Sequence, residues 1–132
     1  MDVVLDTNVL VSAMLSPEGP CAEVLGLVLD GTLTPVADDR VLGEYEEVLQ
    51  RPSFGLSPTT VAELLSALRS AAQVVSPSTL RNALPDHADR CFLECALASE
   101  SRMLVTGNKR HYPGADKFGV SVLSPRDLLA RY

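Results

Sequence analysis

Three short apolar runs constrain the fold of this chain more than any other feature. Val3-Val4-Leu5, Met103-Leu104-Val105 and Val120 to Leu123 are too brief for helices, and such Val- and Leu-rich runs mark strands buried on both faces. The stretches between them keep helical spacing. A helical segment after Asp6 closes at the turn Ser16 to Pro20, and Cys21, Val24, Leu25, Val28 and Leu29 carry the next helix as far as Gly31. Thr32 to Ala37 reads as a second strand. Asp38 or Asp39 then caps a helix bearing Val41, Leu42, Tyr45, Val48 and Leu49, which Arg51-Pro52 ends. Ser57-Pro58 opens another, with Val61, Leu64, Leu65 and Leu68 on one face, and Val74-Val75 follows as a brief strand. A loop through Pro77 and Pro85 leads to a helix from Asp86 to about Glu100, and Ser124-Pro125 starts the last helix.

Short strands alternating with helices predict a parallel sheet covered on both faces, a three-layer α/β domain. With 132 residues, no repeat and no long linker, the chain is expected to be one domain, residues 1–132. In sheets of this kind a ligand binds beyond the carboxyl ends of the strands, where the strand order reverses.

Two polar clusters occupy such ends. Leu5 runs directly into Asp6-Thr7-Asn8, and Val105 runs into Thr106-Gly107-Asn108. Each junction has a plain reading: Asp6 caps the following helix, and Gly107 supplies a turn. Together they crowd short polar side chains onto one edge. In the helix from Asp86, steps of about 100° put Ala88, Phe92, Cys95 and Ala96 on one face and Arg90 and Glu94 on the opposite one. Asp89 falls towards the apolar face, where a carboxylate must be hydrogen-bonded, paired or bound to a metal. Asp86 and Asp89 also imitate a capping box, which is compatible with ligation. In the helix after Asp38-Asp39, Glu44 and Glu46 flank the apolar stripe while Glu47 points to solvent, and periodicity does not choose between the first two.

Asp6, one Glu of that helix and Asp89 are thus placed to converge with Asn108. Carboxylates crowded together repel unless a hard divalent cation holds them. Oxygen-only ligation suits Mg²⁺ or Mn²⁺ and suits phosphoryl chemistry.

The charge balance narrows the partners. Lys and Arg number 11 against 17 Asp and Glu, a net charge of −6, which argues against nonspecific binding to nucleic acid or anionic lipid. A polyanion must be met by a local basic patch or through metal ions. Lys109, Arg110, His111 and Lys117 form the densest basic stretch, either a solvated loop or a phosphate-binding patch. Cys21, Cys91 and Cys95, odd in number and set in apolar patterns, look like free thiols of a reducing compartment. No basic leader opens the chain and no apolar run approaches a membrane span, so a soluble cytoplasmic protein is expected. His87, Cys91 and Cys95 at i, i+4 and i+8 invite zinc, but such sites usually draw ligands from two segments, and Cys95 lies in the core stripe. A phosphoaspartate phosphatase would need a second Asp where Asn8 stands, and no P-loop or dinucleotide fingerprint is present.

The same residues carry a family resemblance. Leu5 to Leu15 (LDTNVLVSAML) resembles the opening motif of PIN-domain proteins. Leu42 to Phe54 (LGEYEEVLQRPSF) is similar to the second acidic helix of the toxin-component subfamily, the VapC-like ribonucleases, and Asp86 to Pro113 to its third acidic segment and following strand. The resemblance implies a PIN-like domain with a central parallel sheet of four or five short strands. It implies a metal-dependent nuclease acting on single-stranded RNA, the toxin of a toxin–antitoxin pair. Carried over by position, the catalytic and metal-binding acids are Asp6, Glu44 and Asp89, with Asn108 as a further metal ligand and Asn8 and Thr106 orienting the carboxylates. Lys109, Arg110 and His111 are the expected substrate contacts. Mg²⁺ or Mn²⁺ is the expected cofactor. The expected partners are an RNA substrate and a cognate antitoxin, with a homodimer left open and no membrane. One departure is Asn108 in TGN, where the family commonly has TGD, so the site holds one negative charge fewer. A noncatalytic PIN fold that binds RNA or a protein partner is the alternative.

Overall fold

β1 (Asp2–Leu5) and β4 (Met103–Val105) lie side by side in parallel, Leu5 in register with Val105. Outward from β1 come β2 (Thr34–Ala37) and β3 (Gln73–Val74), and outward from β4 comes β5 (Ser121–Leu123), every pair parallel. The order β3-β2-β1-β4-β5 therefore reverses between β1 and β4. This computed structural model describes residues 1–76 and 87–131, and for residues 87 and 88 the backbone alone. The loop through Pro77 and Pro85 and the helix start at Asp86 lie outside the described residues.

Six α-helices complete the α/β fold among the described residues: α1 (Thr7–Leu15), α2 (Pro20–Leu29), α3 (Asp39–Leu49), α4 (Pro58–Ala71), α5 (His87–Ala98) and α6 (Pro125–Leu129). α5 packs over β1, β2 and β4, while α1 packs on α2, α2 on α6 and α3 on α4. Val3, Val4, Leu5, Leu104 and Val105 have no exposed surface, as residues of a parallel sheet covered by helices should. Asp38 rather than Asp39 caps α3, its Oδ1 accepting from the Val41 amide at 3.0 Å. A capping box between Ser124 and Asp127 opens α6. Among the described residues no helix is long and apolar enough to cross a membrane.

One expectation from helical periodicity is overturned. Glu94, placed on the outer face of α5 by its spacing, is 1 % exposed. Its Oε1 accepts from Arg40 Nη1 at 2.6 Å, and Arg40 also pairs with Asp38 at 2.7 Å. α5 is flanked by α3 as well as by the sheet, so it has two packing faces, and a single apolar stripe reveals only one. Burial disfavours the Arg40 charge, but the bonds to Glu94 and Asp38 outweigh it and hold the guanidinium protonated.

Candidate metal centre

The central strand pair delivers the site. The Asp6 amide donates to the Val105 carbonyl at 2.9 Å and the Thr106 amide to that of Leu123 at 2.9 Å, so the ladder carries both residues just past the sheet edge. Asp6 Oδ2 accepts from Thr106 Oγ1 at 2.9 Å, from the Tyr112 hydroxyl at 2.9 Å and from Asn8 Nδ2 at 3.4 Å. None of these bonds falls on Oδ1. Nor does the Asp6 side chain cap α1, so the plain helix-cap reading of this residue does not hold.

Asn8 is pinned at both ends. Its Oδ1 accepts from the Gly107 amide at 2.9 Å, and its Nδ2 reaches Thr106 Oγ1 at 3.3 Å. Asn8 and Thr106 therefore both hydrogen-bond to Asp6.

Asp6, Glu44, Asp89 and His111 line one cavity of about 420 Å³, whose remaining wall comes from α1 and from the stretch Val48 to Phe54. Glu44 reaches it because the neighbouring Tyr45 is buried and its hydroxyl donates to the Leu5 carbonyl at 2.6 Å, which ties α3 to the end of β1. Glu46 turns away to Arg69 at 3.1 Å, and the solvent-facing Glu47 meets Arg51 at 3.2 Å. The ambiguity between Glu44 and Glu46 is thus resolved by placement. Ligand atoms of Asp6, Asp89 and His111 all lie within 4.8 Å of one another.

Asn108 stands apart from that cavity wall. Its Oδ1 accepts from the Arg110 amide at 3.2 Å, which turns its Nδ2 towards His111 Nε2 at 3.1 Å. The other ring nitrogen, Nδ1, lies 3.5 Å from Asp89 Oδ2. Asn108 reaches the acids through His111. Lys109 is held by Asp127 at 2.6 Å, and this bond with those from Ser124 lowers the Asp127 carboxyl to about 2. Arg110 is exposed and lies outside the cavity wall.

Tyr112 was not legible as a site residue. It follows a polar loop with no periodic pattern, yet it is 3 % exposed and donates to Asp6. Burial and then the nearby Asp6 and Asp89 charges push its hydroxyl far above the ordinary tyrosine range, so it remains a donor.

The donor set fits a hard divalent cation. It offers two carboxylates in one tight group, with Glu44 on the same wall. Thr7 Oγ1, also on that wall, is buried without a hydrogen-bond partner among the described residues. Oxygen donors of this kind suit Mg²⁺ or Mn²⁺. The zinc arrangement is not favoured: burial pushes the Cys91 and Cys95 thiols up to about 12, away from the thiolate that binds zinc. The His87 side chain lies outside the described residues.

A five-stranded parallel α/β sheet with carboxylates gathered at its switch point defines the class of this molecule. A profile of the PIN domain family matches residues 2–110, and the chain belongs to that family. It is similar to the uncharacterized protein MJ1680 of Methanocaldococcus jannaschii, 26% identical over 110 residues that cover 81% of this chain and 70% of that protein. In structure it is similar to a chain of VapBC2 from Rickettsia felis bound to a DNA fragment from their promoter. That match has a TM-score of 0.59 and 18% identity, covering 94% of this chain and 98% of the other.

Proposed function

We propose that this protein is a metal-dependent ribonuclease that hydrolyses phosphodiester bonds of single-stranded RNA, acting in the cytoplasm as the toxin of a toxin–antitoxin pair. The observation that carries this reading is the convergence of Asp6, Glu44 and Asp89 on one cavity in a PIN-domain chain. Likeness to a chain of VapBC2 supports a protein partner of the antitoxin kind.

Asp6, Glu44 and Asp89 would hold Mg²⁺ or Mn²⁺. What a bound divalent cation would supply is Lewis acidity, which makes water nucleophilic near neutral pH and offsets charge on the phosphodiester. Thr106, Tyr112 and Asn8 hold Asp6 in one orientation before substrate arrives, so no reorganisation is needed at the moment of reaction. Glu44, on α3, would orient water or take its proton. His111 stands beside Asp89, its Nδ1 3.5 Å from Asp89 Oδ2. Lys109 and Arg110, both exposed on the turn beside His111, would contact the RNA backbone, Lys109 exchanging its surface pair with Asp127 for a phosphate.

Purified protein should cleave single-stranded RNA with Mg²⁺ or Mn²⁺, lose the activity on chelation, and lose on the order of a hundredfold or more in kcat on Asp6→Asn. Metal-independent cleavage, or equal cleavage by Asp6→Asn, would overturn the reading. RNA binding without cleavage would favour the noncatalytic alternative.

A further inference from the structure

Arg51 and Phe54 share the cavity wall with the acids, and nothing in the metal centre uses them. Both belong to one tight turn at the end of α3. The Arg51 amide donates to Val48 at 3.1 Å, Phe54 to Arg51 at 3.1 Å and Gly55 to Pro52 at 3.0 Å. Pro52 pre-sets the turn, and Gly55, left-handed at φ 63°, closes it. The two side chains are therefore presented from a stiff support.

Phe54 is half-buried and, among the described residues, belongs neither to the hydrophobic core nor to the apolar residues packed at its edge, whereas Phe92 is 1 % exposed at its centre. The ring lines the cavity instead, on the same wall as Glu44. Arg51 is exposed, and its only charged partner among the described residues is the equally exposed Glu47, a surface pair that a stronger anion displaces at little cost. In a chain of net charge −6, this guanidinium beside a carboxylate cavity is a local anchor for an anion.

We propose that Phe54 and Arg51 form a nucleotide subsite, the ring stacking on one base of a single-stranded RNA beside the bond to be cut and the guanidinium taking a phosphate. This rests on the reading of the cavity as a ribonuclease site and names how it engages its substrate. Every base has a π-face, so the subsite tolerates sequence, but a base inside a duplex has no free face to offer. Selectivity for single strands follows from the ring.

The test uses the full chain in an Asp6→Asn background, where cleavage is removed, and a labelled single-stranded oligoribonucleotide followed by fluorescence anisotropy. Adding Phe54→Ala should weaken binding by about fivefold or more, and Phe54→Tyr should retain it. Adding Arg51→Ala should weaken binding and flatten its salt dependence by about one counterion. The matching duplex should bind the Phe54 variants alike. Unchanged affinity on Phe54→Ala, a Tyr variant as weak as Ala, or no oligonucleotide binding at all would overturn the subsite, the last two leaving a protein segment as the occupant of that wall. The two readings fail separately. Phe54-dependent binding with no cleavage by the wild type would sink the nuclease and keep the subsite. Cleavage with KM unchanged by Phe54→Ala would do the reverse.

Discussion

Asp6 takes its orientation from donors separated by about the whole chain: Asn8 two residues on, Thr106 at the end of β4 and Tyr112 in the loop beyond it. That Asp6 and Thr106 would meet at the sheet edge was legible because each directly follows a buried strand, where a polar side chain stands out. Tyr112 was not, since an aromatic residue in an irregular loop gives no period to read. Tyr112→Phe keeps the buried ring and removes one donor from Asp6. The folded state should lose about 1 kcal/mol. Metal affinity or activity should fall on the order of tenfold, the usual effect of removing a group that orients a ligand. An unchanged Mn²⁺ dependence in this variant would show that the hydroxyl serves packing alone.

At the scale of elements, α5 shows how far periodicity reaches. Its stripe correctly marked Phe92, Cys95 and Ala96 as core and drew Asp89 inward. It missed Glu94 because a second packing face, against α3, carries a charge instead of an apolar residue. Whether Glu44 or Glu46 faced the site was equally beyond the period, and the Tyr45 bond to Leu5 decided it. Arg40 bridges Asp38 and Glu94, and thereby the start of α3 and the middle of α5. Removing it takes from the buried Glu94 the guanidinium that pairs with it, although the half-exposed guanidinium is partly screened. Arg40→Ala should therefore destabilise the protein by about 1–3 kcal/mol in urea unfolding while leaving metal uptake intact. A midpoint equal to wild type would mean that Glu94 finds its support elsewhere.

For the whole molecule, three brief apolar runs and the helical periods between them sufficed to predict a parallel α/β sheet, and the reversal between β1 and β4 falls where the two polar clusters lie. Topology thus turns residues about a hundred positions apart into neighbours, as the Thr106 bond to Asp6 shows. What sequence patterning could not show was the division of labour after β4. Asn108 lies against His111, Lys109 pairs with Asp127 at the surface, and the arginine on the cavity wall comes from the end of α3. The central claim is that the strand-end carboxylates form a cation site. Calorimetric titration with Mn²⁺ tests it most directly. Wild type should take up the ion saturably, and an Asp6→Asn, Asp89→Asn variant that still folds should not; equal uptake by the two proteins would contradict the account.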